Sequence, residues 1–277
     1  ILRVFAGPWP PLVHAAARAV AVGRRAFAIL FDSSTKSPTS PLREPLAWLA
    51  LCAAFGLSSR AEAAFTTTAL ARFSTDYVYH GYSKSDDHPV AQAHAGLAHS
   101  SGVYGGVWMT AIDFGGARSE FIPYIGVQRA LGGGFRLDAV VSGYLYEADV
   151  FGESADYVET SMSLDWRGLL TARVSAAFDS YGSSHTSAAG EFKARYPLSD
   201  IVDVSAGAGF DELGEVTTYD VLYWNAGLSY FIGSHVVADL RYVDSAYFNE
   251  VSGPGVIDRF GSAEAGARVV FSISVGF

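Results

Sequence analysis

Fourteen ionisable side chains lie inside stretches that otherwise alternate between apolar and small or polar residues: Arg72, Asp76, Arg136, Asp138, Glu159, Arg173, Glu191, Lys193, Arg195, Asp203, Asp239, Arg241, Glu264 and Arg268. Seven are basic and seven acidic. Interleaved charges on one face suit an enclosed aqueous space, where they pair across a confined lumen and set which ions pass. By strand parity His80 and His94 share that face, and these residues together are the expected pore lining. A metal site built on the two histidines would need a third ligand, for which Asp76 is the candidate; polar wall residues are the simpler reading. Gly132-Gly133-Gly134 occupies a short turn with no helix after it, so it is not a phosphate loop. A barrel lipase would need Ser and His together on the outer side, and no mid-strand His falls there. No catalytic, cofactor-binding or metal residue is assigned, and neither enzymatic activity nor a cofactor is expected.

The elements that hold these residues are strands. In the last segment Ala263, Ala265, Ala267, Val269, Phe271, Ile273, Val275 and Phe277 alternate with Ser262, Glu264, Gly266, Arg268, Val270, Ser272, Ser274 and Gly276. That period of two is the signature of a strand with one apolar face. It recurs often enough to predict twelve strands, over 66–81, 90–99, 103–113, 120–130, 134–146, 156–165, 168–178, 187–196, 201–210, 219–231, 235–244 and 262–277. Alternate connections are short (His99–Gly102, Ala130–Gly134, Trp166–Arg167, Pro197–Asp200, Ile232–Ser234) or longer (Tyr82–Pro89, Phe114–Ser119, Glu147–Ala155, Asp179–Thr186, Asp211–Thr218, Ser245–Gly261). Short turns at one end and long loops at the other are the layout of an outer-membrane barrel. The expected fold is all-β, a transmembrane antiparallel up-and-down β-barrel of about 12 strands.

Period two does not say which face is inside. Outward placement of the apolar face follows from the charges deep within strands, and from the width of a twelve-strand barrel, which Ala and Gly would not fill. Tyr77, Tyr79, Trp108, Trp224, Tyr230 and Tyr242 are then expected outside, as interfacial aromatic girdles. A secreted soluble β-protein with a charged surface is the alternative.

Charged residues make up 17% of the chain, below the roughly 25% of soluble domains. The acidic balance argues against nucleic-acid binding, and one Cys leaves no disulfide framework. Residues 1–63 carry seven Lys+Arg and three Asp+Glu; the remainder carries 12 and 25. The longest uncharged apolar run, Pro45–Leu57, has 13 residues, against about 20 for a membrane helix. Arg43, this run and Ala61-Glu62-Ala63 read as a secretory signal peptide over 41–63, with 64–277 as the barrel. Residues 1–40 read as misassigned upstream translation or an extended leader.

Ser74-Thr75-Asp76-Tyr77-Val78-Tyr79-His80-Gly81-Tyr82-Ser83-Lys84-Ser85, followed by Pro89 and Gln92, resembles the opening signature of the TorF family of porins. Ser101-Gly102-Val103-Tyr104-Gly105-Gly106-Val107-Trp108 with Asp113 resembles the family's next hairpin, and the similarity extends more loosely to Tyr146. The family often has Arg at the position of His80 and an acidic residue at that of Ile122. The resemblance implies a Gram-negative outer-membrane barrel that conducts small solutes. Phe277, with Phe271 and Val275, resembles the C-terminal signal read by the barrel-assembly machinery.

The loops hold Asp86, Asp87, Glu147, Asp149, Glu153, Asp211, Glu212, Glu215, Glu250 and Asp258, against Lys84, Arg118 and Arg259. An acidic rim concentrates cations at the mouth. The expected function is passive passage of small polar solutes or ions with weak cation preference. The alternative is a structural or adhesive barrel with a plugged lumen and working loops. Expected partners are outer-membrane lipid, lipopolysaccharide, the assembly machinery through Phe277, and small polar solutes; oligomerisation is left open.

Overall fold

The computed structural model describes residues 65–150, 154–249 and 266–277. The leader and signal segments expected over 1–63 lie outside the described residues, as does Glu264. Twelve strands form one closed antiparallel barrel: β1 (Phe65–Ser74), β4 (Val90–His99), β5 (Val103–Phe114), β6 (Ala117–Gly132), β7 (Phe135–Tyr146), β8 (Tyr157–Trp166), β9 (Leu170–Phe178), β10 (Ser187–Pro197), β11 (Val202–Glu212), β12 (Asp220–Ile232), β13 (Val236–Phe248) and β14 (Arg268–Gly276). Two further strands, β2 (Val78–Tyr79) and β3 (Tyr82–Ser83), form a separate hairpin between β1 and β4. The barrel closes where β1 pairs with β14, with Leu70 opposite Gly276 and Ser74 opposite Ser272.

The alternation becomes an inside and an outside. Every barrel strand exposes at least one large apolar residue on its outer surface, among them Phe73, Leu97, Val103, Ile125, Phe135, Met162, Val174, Phe192, Phe210, Leu228, Leu240 and Phe271. On a water-facing surface such a continuous apolar belt would be far larger than monomeric proteins expose. Lipid is the solvent it suits, and a closed sheet leaves no unpaired edge there. Trp224 and Tyr230 are also exposed on β12. They stand six residues apart, about 20 Å of strand, on the one outward face of β12.

Several expected features differ in the structure. The strand expected over 66–81 stops at Ser74, because the chain turns into the barrel there. Its continuation carries Tyr77 and Tyr79 inside, both buried, rather than to the outer girdle. Trp108 also points inward: it sits opposite His94 in the β4–β5 register, with ring centroids 4.8 Å apart. The Phe114–Ser119 loop is a two-residue turn, in which Gly115 and Gly116 both take positive φ (59° and 109°). Such values match the twist of a hairpin and suit glycine. Finally, Asp211 and Glu212 belong to β11 rather than a loop; of the strand expected over 262–277, residues 262–265 lie outside the described residues and Arg268–Gly276 is strand.

Placing a charge on the outer belt should be costly. Leu240→Arg is expected to lower barrel stability by about 2–4 kcal/mol if the site lies near the bilayer midplane, with Leu240→Ala costing less. Denaturant titration of protein refolded into lipid vesicles measures both.

Candidate functional site

Between Thr75 and Pro89 the stretch from Asp76 to Ser85 turns inward rather than into solvent, and only Asp86–Pro89 lie exposed at its end. It enters the long-loop end of the barrel and touches strands around the wall. The β2–β3 hairpin is closed by His80 and Gly81, both at positive φ (44° and 90°). Gly81 is required there: a Cβ would lie 2.6 Å from the Tyr223 Cβ and 2.8 Å from the Ser245 Cβ. The hairpin tip therefore rests directly against β12 and β13, and the Ser245 hydroxyl donates to the Gly81 carbonyl at 2.9 Å.

Local bonds shape the segment first. The hydroxyls of Ser83 and Ser85 donate to Asp76 Oδ1 at 2.6 and 2.8 Å, and the Lys84 amide donates to the Tyr77 carbonyl at 2.8 Å. Contacts to the wall then hold it. Tyr77 donates its hydroxyl to Glu120 (3.0 Å), Tyr79 to Glu159 (2.9 Å), and the Tyr82 hydroxyl meets that of Tyr181 at 2.8 Å. His80 Nδ1 lies 2.6 Å from Asp211, and its ring stacks on Tyr223 (5.3 Å, 7°) and Tyr79 (4.1 Å, 18°).

Lys84 is a fully enclosed charge. Its side chain and that of Glu120 have no solvent exposure, and its ammonium bonds to the Glu120 carboxylate and to the Tyr146 hydroxyl (2.8 Å). Six rings surround Nζ: Tyr79 at 4.7 Å, Tyr144 at 5.1, Tyr146 at 5.3, Tyr181 at 5.5, Phe114 at 5.7 and Tyr77 at 5.9 Å. Burial alone disfavours the ammonium, but Glu120 and Tyr181 more than offset it, so the Lys84 pKa lies above the ordinary lysine value. Burial and the nearby carboxylates push the hydroxyls of Tyr77 and Tyr79 well above the ordinary tyrosine value, keeping them protonated donors. The surrounding cluster includes Ile112, Ile122, Tyr157, Leu213 and Val221. A cavity of about 10 Å³ remains between Tyr79, His80, Tyr157, Glu159 and Asp211.

Below this layer the wall is ionic. Arg173 binds Glu159 at 2.8 Å, Lys193 binds Glu191 at 2.6 Å, Arg195 binds Asp203 at 2.6 Å and Arg241 reaches Asp239 at 3.2 Å. Arg136 lies 3.5 Å from Asp165, and Asp138 accepts from Tyr104 (2.7 Å) and Gln128 (3.1 Å). Arg72 donates to Ser274 at 3.0 Å and covers the Trp108 ring at 6.0 Å. Arg268, at the long-loop end of β14 and level with the inserted segment, lies 3.4 Å from Asp87 and 3.9 Å from Asp76. Asp76 and His80 belong to the inserted segment rather than to a strand wall. His94, buried on β4, contacts Tyr124 at 2.6 Å, apart from the Asp211 and Tyr223 partners of His80. Among the described residues no three His, Cys, Asp or Glu form a metal-sized group.

A family model described as "Bacterial protein of unknown function (Gcw_chp)" matches residues 58–273. The chain belongs to that family. No curated protein matches the sequence. Similar solved structures include one described as "KdgM porin" (6% identity, 76% of this chain and 99% of that chain, TM-score 0.48). Another is a NanC porin (6%, 76% and 99%, 0.45). A third is the COG4313 outer membrane channel from Pseudomonas putida F1 (10%, 78% and 96%, 0.45).

Sequence reasoning placed Lys84 on the exposed rim and did not single out Glu120 as part of a site. The available signal was composition: a lysine and three tyrosines within eight residues, around a His-Gly pair, are unusual for a solvent-facing loop. Ile122 packs inward in the aromatic cluster, and Glu120, two residues earlier on the same strand, is the partner of Lys84.

Glu120→Gln keeps the shape but strands a buried ammonium, a loss of about 3–5 kcal/mol. Lys84→Met alone strands the carboxylate. The double variant should lose less than the sum of the two, and a double-mutant cycle by denaturant unfolding measures that coupling.

Proposed function

We propose that this chain is a porin-like channel of the bacterial outer membrane, of the TorF kind, through which small polar solutes or ions pass. The observation that carries this reading is the inner wall: paired charges of both signs on strands of a closed barrel whose outer face is apolar. Such a wall keeps water and ions favourable within a lipid-embedded cylinder. The segment 75–89 narrows the long-loop end, so the path favours small species over bulky ones.

Selectivity follows from where charge is exposed. Asp86, Asp87, Glu147, Asp149 and Glu212 are exposed near that end. With Lys84 withdrawn into the barrel, the rim is more acidic than its composition suggests. The lower lumen, where Arg72, Arg173, Lys193, Arg195 and Arg241 face Glu159, Glu191, Asp203 and Asp239, opposes it weakly. The net expectation is a weak preference for cations. Lipopolysaccharide bridged by divalent ions fits the same acidic rim. The exposed terminal Phe277, whose backbone bonds to Ala69, fits recognition by the assembly machinery. A signal peptide over 41–63 completes the proposed route to the outer membrane.

A second reading is a closed structural or adhesive barrel, favoured by the dense packing around Lys84. Planar bilayers separate the two. The channel reading expects discrete conductance steps with reversal potentials leaning toward the cation, and Asp86→Asn/Asp87→Asn should reduce that lean. Absence of steps would leave the structural barrel; a lean toward chloride would remove the selectivity claim alone.

A further inference from the structure

The surroundings of Lys84 have the form of a ligand site. A carboxylate, a hydroxyl and several aromatic faces converge on one ammonium, with no solvent exposure of its side chain. Aromatic cages of this kind bind cations that arrive from outside. Four of the six rings, Phe114, Tyr144, Tyr146 and Tyr181, belong to the barrel and its loops, as does Glu120. Only Tyr77 and Tyr79 come from the inserted segment. The wall therefore supplies most of the socket, and the segment supplies the occupant.

The hydrogen bonds specify the cation. Nζ donates to both Glu120 and Tyr146. A quaternary ammonium has no N–H to give, whereas a primary alkylammonium has three. We propose that Phe114, Glu120, Tyr144, Tyr146 and Tyr181 form a binding socket for a primary alkylammonium group, filled here by the chain's own Lys84, and that this ligand-like contact fastens segment 75–89 inside the barrel. The segment is then a tethered plug. Its ammonium competes at the high effective concentration that tethering confers, on the millimolar scale or above, so a free amine occupies the socket only when Lys84 is absent or the segment withdraws. The gating consequence rests on the channel reading; the socket itself does not.

Removing Lys84 beyond Cβ takes away three carbons and the ammonium, which n-propylammonium restores. The test compares wild type, Lys84→Ala, Lys84→Met and Glu120→Gln/Lys84→Ala, each refolded with n-propylammonium, with tetramethylammonium or with neutral n-propanol. Two quantities are read: the thermal unfolding midpoint in detergent micelles, and conductance in bilayers. The proposal expects n-propylammonium to raise the midpoint, or the refolded yield, of Lys84→Ala alone. Wild type is already filled, Met occupies the space, and the double variant lacks the carboxylate. It expects tetramethylammonium and n-propanol to do little. In bilayers Lys84→Ala should conduct more than wild type and fall back when n-propylammonium is present. An equal shift in all variants, or none in Lys84→Ala, overturns the socket. A selective midpoint shift with no conductance in any variant upholds the socket and sinks the channel reading beneath it.

Discussion

A peptide group in hydrocarbon has no water to bond, and each one left unpaired costs several kcal/mol. That constraint governs this chain. Twelve strands satisfy it by pairing in series, and the last pair, β1 with β14, removes the two edges that would remain. Once the sheet closes, every strand must present one face to lipid and the other to the interior. Phe271 and Ile273 then look outward while Ser272 and Ser274 look inward, and Arg72 finds Ser274 across the seam. The ionic wall is a consequence of closure: charges carried on alternate residues have only the interior to occupy, and there they pair.

Closure with twelve strands creates a second problem. Eight strands already give an interior that side chains just fill, so a wider barrel must hold water or be filled by something else. In this chain the two ends differ. Near the short turns the interior is lined by paired Arg, Lys, Asp and Glu. Near the long loops it is filled by rings, with Tyr144 and Tyr157 stacked at 4.5 Å and the inserted Tyr77, Tyr79 and Tyr82 among them. Wall side chains alone do not span that width, and the connection between β1 and β4 supplies the rest.

The strands were legible in the sequence because lipid on one side and a polar interior on the other impose an alternation on every strand of the cylinder. The expected bounds of β4 agree with the structure, and most others fall within a few residues. Sorting of turns and loops by length was legible for the same reason, except at Gly115-Gly116, where two glycines made a tight hairpin out of what read as a loop. The inserted segment was not legible. Tyr77 and Tyr79 continue the odd-numbered parity of Phe73, so a pattern read along the strand places them outside. The chain leaves the sheet after Ser74, whose hydroxyl bonds to the Asp76 carbonyl, and parity has no meaning beyond that bend. Val78-Tyr79 and Tyr82-Ser83 flanking His80-Gly81 were the local hairpin signal. Trp108 failed differently: it shares the even parity of Tyr104 and Thr110, so the pattern itself pointed inward, and the outward expectation followed from residue type alone.

The stretch Ser74–Ser85 is almost wholly this inserted segment, and its composition follows from where it goes. Aromatic rings pack against one another in many arrangements with similar energy, so a tyrosine cluster by itself fixes the segment's register poorly. An ammonium without exposure is satisfied in very few. Lys84 reaches Glu120 and Tyr146 together in the same arrangement in which Gly81 lies against Tyr223 and Ser245 and His80 meets Asp211. The ion pair adds little to stability over a well-packed apolar substitute. What it contributes is a single position for the inserted segment against the wall it fills.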